Sequence, residues 1–252
     1  MRARIPLAAA LAGAALLAAA TLAPMAATPA PAPPPAGTVT FLAGDATRAA
    51  GADGKAEKLA VGSAVRAGDV LETKRRTRLE VRLADRSVLR LGPSSRVVVV
   101  AAAFGKTVEE RNVSAKLLVG KVWANVAKAV GGEARFEVQT ENAVAGVRGT
   151  TFRVDAATDR SVVVRVYSGT VAVSQGALPR PEHGTAKDGK PERRQVAGPQ
   201  EVSREQWEKI VTSMMQVRVS AEGVPGEPET FALADPKADE WEAWNRSRDA
   251  AK

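Results

Sequence analysis

From Gly37 to Gln175 the chain alternates apolar and polar residues with a period of two. Leu79, Val81 and Leu83 alternate with Arg78, Glu80 and Arg82, and Leu89 and Leu91 alternate with Val88 and Arg90. The same beat returns in Phe136-Glu137-Val138-Gln139 and in Phe152-Arg153-Val154. It continues in Val162, Val164 and Val166 against Val163, Arg165 and Tyr167. Successive side chains of a strand leave opposite faces, so this pattern predicts antiparallel strands with one face on a core. Turn-forming runs interrupt the pattern near Gly51, at Arg66–Asp69, at Leu91–Ser94 and at Gly131–Gly132. Many short strands between such turns predict an all-β sandwich or barrel.

Two echoes run through this region. D-R-S-V-L-R-L starts at Asp85 and D-R-S-V-V-V-R-V at Asp159; G-T-V, G-K-V and G-T-V start at Gly37, Gly120 and Gly169. Repeated hairpin chemistry is the preferred account, because Asp and Ser bond their own backbone in turns. Internal duplication is the alternative.

After Gln175 the pattern changes. Residues 176–200 are polar and rich in Pro and Gly, which predicts a long loop. Trp207, Ile210, Val211, Met214 and Met215 then follow helical spacing, with Ser203 as N-cap, Gln206 completing a capping box and Glu205 one turn before Lys209. A second helix is expected from Asp235–Pro236, with Asp239, Glu240 and Glu242 early and Arg246, Arg248 and Lys252 late, as the helix dipole favours. Trp241 and Trp244 share a face of it. Residues 201–252 are thus expected to be a short α-helical C-terminal tail. Such stripes usually pack on a core. The competing reading is a docking helix presenting Trp207, Ile210, Met214, Trp241 and Trp244 to a partner.

At the other end, Arg2 and Arg4 precede an apolar run from Leu7 to Ala20, with small residues at Ala18–Ala20 and Thr21–Ala23. This is the layout of a secretory signal peptide over residues 1–23. Residues 24–36 form a Pro-rich spacer. An uncleaved inner-membrane anchor over Ile5–Ala27 is the alternative, and only then is membrane contact expected. Either way the remainder is expected outside the cytoplasm, in the periplasm.

Composition narrows the chemistry. The 252 residues are 45% hydrophobic but only 4% aromatic, so Val, Leu and Ala must fill the core. Cysteine is absent, which excludes disulfides, thiolate metal sites, a Cys nucleophile and a lipoprotein cysteine. The formal charge is +8, or +6 without Arg2 and Arg4. Outside the cytoplasm this charge suits anionic envelope polymers or lipid head groups rather than nucleic acid.

Catalytic constellations are not apparent. The single histidine, His183, lies in the predicted loop with no patterned acid or nucleophile beside it. Glu109 and Glu110 would point to opposite faces of a strand and could not flank one bond. No phosphate-binding loop, H-E-x-x-H or G-x-S-x-G occurs. A non-enzyme without metal or cofactor is expected. Arg148 is the sharpest binding candidate, with Gly146, Gly149 and Thr150 around it; an internal ion pair fixing a strand crossing is the blander role for it. Lys74, Arg75, Arg76 and Arg78, continued by Arg82, Arg86 and Arg90, could form a basic patch.

Five stretches carry a family resemblance: Val61–Thr73, Leu79–Leu91, Leu117–Trp123, Phe136–Val154 and Tyr167–Val173. In this order they resemble the FecR domain, over about residues 37–175. The resemblance implies a periplasmic all-β domain, here an antiparallel sandwich or jelly-roll-like one. The family's namesake relays a signal from an outer-membrane receptor to a sigma factor through a cytoplasmic segment. Only Met1–Ile5 precede the apolar run here, so that relay is not expected. What remains is an exported envelope protein that binds a protein partner in signalling or scaffolding. The alternative is a binding module for peptidoglycan or another anionic envelope polymer.

Overall fold

Val-rich alternation becomes strand wherever a neighbouring segment can take its backbone hydrogen bonds. The computed structural model describes residues 34–104, 111–128, 135–176 and 208–251. The first strands are β1 (Pro35–Ala43), β2 (Ala46–Ala50), β3 (Glu57–Lys58), β4 (Ala64–Arg66), β5 (Asp69–Thr73) and β6 (Arg78–Leu83). There follow β7 (Val88–Leu91), β8 (Arg96–Phe104), β9 (Arg111–Asn125), β10 (Arg135–Gln139), β11 (Ala143–Val147) and β12 (Thr151–Ala156). The last are β13 (Val162–Ser168), β14 (Thr170–Gln175), β15 (Glu208–Thr212), β16 (Met215–Val219), β17 (Glu229–Thr230) and one helix, α1 (Glu240–Ala250).

The strands make two layers. The front sheet runs β4-β1-β6-β7-β9-β12-β13-β16-β17. The back sheet runs β3-β2-β5-β8-β9-β10-β11-β14-β15. Strand β9 belongs to both: Arg111–Val119 pairs in the back and Gly120–Asn125 in the front. The inner faces share one core, including Leu79, Val81, Leu91, Val122 and Val164 from the front and Leu71, Val97, Leu117, Val138 and Val173 from the back. Phe136 and Phe152 meet across it edge to face, 6.4 Å between centroids. The all-β, two-layered class read from the alternation is the one observed.

Among the described pairings one is parallel, β9 with β10. Parallel neighbours need a crossover, and the second half of β9, lying in the other sheet, provides it. Gly120 makes the bend at the change of sheet. Its φ is +101°, and a Cβ there would collide with Ser95. Ser95 Oγ in turn accepts from the Lys121 amide at 2.8 Å. Gly120→Ala is expected to cost about 3 kcal/mol, read as a lower urea midpoint at unchanged slope.

The two D-R-S echoes fold alike. Ser87 N and Ser161 N each donate to the preceding aspartate, Asp85 or Asp159, at 2.9 Å, and Arg86 and Arg160 both sit at φ +71°. These turns close the β6–β7 and β12–β13 hairpins, which flank the second half of β9 from either side.

Three expectations change. The spacer ends earlier than residue 36, because Pro35 and Ala36 already belong to β1 and Ala36 is buried. The helix expected around Ile210 and Met214 is instead the β15–β16 hairpin, with Met214 in its turn at φ +63°. Val211, Val217 and Val219 alternate inward there, and pairing with β14 and β13 satisfies every second amide, which outweighs a chance helical spacing. The final helix starts at Glu240 rather than at Asp235–Pro236, because Asp235 first closes a turn by accepting the Ala238 and Asp239 amides. The signal segment, the loop with His183, Glu109–Glu110, Ser203 and Trp207 lie outside the described residues.

Candidate functional site

Register places a row of polar side chains straight across the outer face of the front sheet. Glu80 faces Arg90, Arg90 faces Trp123, Trp123 faces Arg153, Arg153 faces Arg165, and Arg165 faces Gln216. Outward positions should be solvated, yet Arg90 is 0% exposed and Arg153 3%. Helix α1 covers them.

The helix is held at both ends by carboxylates that serve two elements at once. Asp239 caps it: Oδ1 accepts the Glu242 amide at 2.9 Å, and Oδ2 accepts Arg153 Nη1 at 2.6 Å. Burial would raise the Asp239 pKa, but the bonds from Arg153 and the Glu242 amide outweigh it and hold the carboxyl below its ordinary value. Near the C-terminus, Arg248 donates to both oxygens of Glu80, at 2.9 and 3.0 Å. Asp249 accepts the Trp123 indole N–H at 2.9 Å and pairs with Arg90 at 2.8 Å.

Glu80 is the hub. It also accepts from Arg90 Nε at 2.7 Å and Thr40 Oγ1 at 2.7 Å. Burial pushes its pKa up, but Arg248, Arg90 and Thr40 together bring it down to about 2. Arg153 faces the like charge of Arg165, which would be repulsive alone. Asp155 lies between them, accepting from Arg153 at 2.9 Å and from Arg165 at 3.1 Å. Aromatic rings close the layer. Trp241 stands edge-on to Trp123 and under Arg153, while Trp244 packs on Phe41 and under Arg90 and Arg248.

The expected site residues separate accordingly. Trp241 and Trp244 face the sheet, so the helix uses them on the chain's own structure. Ile210 and Met214 are exposed but sit on a hairpin, not a helix. Arg90 leaves the basic patch, since Glu80 and Asp249 consume its charge in the interior. Arg78 is half-buried, 3.6 Å from Glu240 and over the Trp244 ring. Lys74 is tied to Glu72 at 2.6 Å. Arg75, Arg76, Arg82 and Arg86 remain exposed and make no ion pair among the described residues.

Arg148 differs from the blander expectation. It is exposed and makes no ion pair among the described residues, so it does not fix a strand crossing by an internal pair. It lines a cavity of about 50 Å³ with Asp85, Lys128, Arg135 and Gly149, floored by Val113, Phe136 and Val147. Gly146 lies within β11, where it faces Ala172 of β14. Gly149 takes φ +61° beneath the Lys128 stem, and Thr150 is buried. Arg148→Ala is therefore expected to leave stability within about 0.5 kcal/mol of wild type, measured by thermal unfolding.

Sequence reasoning missed Glu80, Trp123, Arg153, Asp155 and Asp249 as one network. The signal available was the charged residues at outward strand positions, Glu80, Arg90, Arg153 and Asp155; nothing local identified the helix that covers them.

Residues 69–172 match the model of the family described as FecR protein. Over this segment the chain is similar to the FecR family. The match starts in β5 and ends in β14, so the N-terminal strands, the β15–β16 hairpin and α1 lie outside it. Two similar solved structures are each titled a "putative anti-sigma factor" from Parabacteroides distasonis, at 2.50 and 1.65 Å resolution. They share 18% and 20% identity with this chain at a TM-score of 0.44 each, over 68% of this chain and 63% of theirs. The chain thus spans under two thirds of the length of those neighbours. No curated protein matches the chain.

Proposed function

We propose that this chain is a non-enzymatic, exported envelope protein whose FecR domain recognises a protein partner in signalling or scaffolding. The family match over residues 69–172 carries this reading, since FecR proteins are associated with the cell envelope. The interior charges support it. Those of the front sheet are spent on one another and on α1, which makes a stiff framework and leaves contact to the exposed rim. Among the described residues no helix is long and apolar enough to cross a membrane, and no three His, Cys, Asp or Glu side chains group as metal ligands.

Export rests on Arg2, Arg4 and the apolar run after them. N-terminal sequencing of the protein from an envelope fraction is expected to start near residue 24; Met1 at the terminus would refute cleavage. Partner binding is tested in living cells with a photo-crosslinking residue at Arg82 or Arg148. One envelope protein is expected to be captured, and capture is expected to fail when Arg148→Glu is added to the Arg82 probe. Absence of any protein adduct from both positions rejects the reading.

A second reading, an anionic envelope polymer as ligand, is favoured by Arg75, Arg76, Arg82 and Arg86, which are exposed and make no ion pair among the described residues. Co-sedimentation with purified peptidoglycan sacculi is then expected at low salt and lost at high salt.

A further inference from the structure

We propose that the cleft between the β5–β6 turn, the β7–β8 turn and the start of α1 is a binding site for a phosphate-bearing ligand. This gives a place and a chemistry to the second reading above and rests on it only for the sign of the ligand's charge.

The cleft measures about 530 Å³ and is lined by Arg75, Arg76, Arg78, Ser94, Glu240 and Trp241, with Pro93. Its polar lining is almost all donors. Arg75 and Arg76 make no ion pair or side-chain hydrogen bond among the described residues, although an acidic residue, Glu72, lies nearby and takes Lys74 instead. Trp241 is 5% exposed, and its indole N–H has no acceptor among the described residues. The ring carbon bonded to that nitrogen packs against Gly92, the residue before Pro93 and Ser94. Guanidinium groups offer forked donors and no acceptor, so their natural complement is an anion with several oxygens.

The walls are built rather than incidental. Thr77 N and Ser94 N both donate to the Lys74 carbonyl, at 3.2 Å each, which ties the two turns together. Thr73 Oγ1 donates to the Gly92 carbonyl at 2.6 Å and accepts from Ser95 N at 2.9 Å, just beneath. Arg76 and Ser94 both hold left-handed backbone, at φ +61° and +52°. Neither is a glycine, and such positions persist where surrounding structure holds them, often at ligand sites. Two of the described non-glycine residues with positive φ thus face one cleft. A cleft of this size exceeds a bare phosphate and suits a phosphate carried on a sugar-sized body. The one acid in the lining, Glu240, is 3.6 Å from Arg78 and opposes an anion.

The test is isothermal titration of the whole protein with glucose 6-phosphate, with glucose and inorganic phosphate alongside, and flotation with phosphatidylglycerol vesicles against phosphatidylcholine vesicles. Glucose 6-phosphate is expected to bind and glucose not. Arg75→Ala and Arg76→Ala should each weaken binding roughly tenfold. Glu240→Gln should tighten it, and Lys58→Ala and Arg218→Ala, exposed bases outside the cleft and the patch, should leave it unchanged. Arg76→Gly should raise the melting temperature while weakening binding, which a purely structural arginine would not do. Flotation on phosphatidylglycerol with this same pattern supports the site and assigns a lipid head group. Sugar phosphate bound without flotation supports it and assigns a soluble source. Equal losses from Lys58→Ala and Arg218→Ala, weaker binding by Glu240→Gln, or no binding of any phosphate probe overturns the site. Failure on sacculi with glucose 6-phosphate still bound removes the polymer reading and leaves this one standing.

Discussion

Glu80→Gln is expected to lower unfolding free energy by about 3–5 kcal/mol. The carboxylate holds Arg90, Arg248 and Thr40 at once, and Arg90 is 0% exposed. An amide keeps the shape but not the charge, so Arg90 keeps only Asp249 to oppose its positive charge. A buried charge that has lost a partner is far costlier than the intact pair is favourable. Urea unfolding at neutral pH reads the loss. A double-mutant cycle with Arg248→Met separates the helix contact from the one inside the sheet. A loss below about 1 kcal/mol would mean that solvent screens the pair as it does at a surface.

Acid should reproduce the effect. The folded pKa of Glu80 is lowered from 4.5 to about 2. Its contribution is therefore complete above the unfolded value and disappears as the pH falls from about 4.5 toward about 2. The wild type is expected to lose stability over that window more steeply than Glu80→Gln.

Removing residues 239–252 is expected to have a larger effect, on the order of 5 kcal/mol or more. The deletion takes away Asp239 and Glu242 from Arg153, Asp249 from Arg90 and Trp123, and Arg248 from Glu80. It also uncovers Trp123, which packs on Tyr167 at 4.3 Å and edge-on against Trp241. The truncated protein should melt early, and its Trp123 emission should shift to the red. A synthetic peptide of residues 235–252 should restore part of both signals in trans. An unchanged melting temperature would refute the view that α1 completes the fold. Asp239→Ala should fall between the full deletion and wild type, because it removes one helix cap, worth about 1 kcal/mol, and one partner of Arg153.

The alternation was legible because it is local. Leu79, Val81 and Leu83 declare an inward face without reference to any other segment, and the D-R-S turns declare their hairpins. Spacing misled at Ile210–Met215: the helical stripe grouped Ile210, Val211 and Met214, whereas the hairpin buries Val211 and leaves Ile210 and Met214 exposed. Two open strand edges, of β14 and β13, decided for the hairpin. Arg148 invited an ion pair by its glycine neighbours, yet it makes none among the described residues, although Asp85 lines the same cavity. Arg90 read as one more exposed base. Its burial depends on Asn245 and Asp249, far along the chain, and no local pattern reports a contact of that range.

By itself the chain's order of residues determined the layered β architecture, the family resemblance of its central segment and the absence of thiol chemistry, because each follows from neighbours or from composition. Tertiary structure alone decided which charges are interior. Outward-pointing arginines stay wet until another element closes over them, and only the three-dimensional path of α1 brings Asp239, Glu242 and Asp249 onto the front sheet.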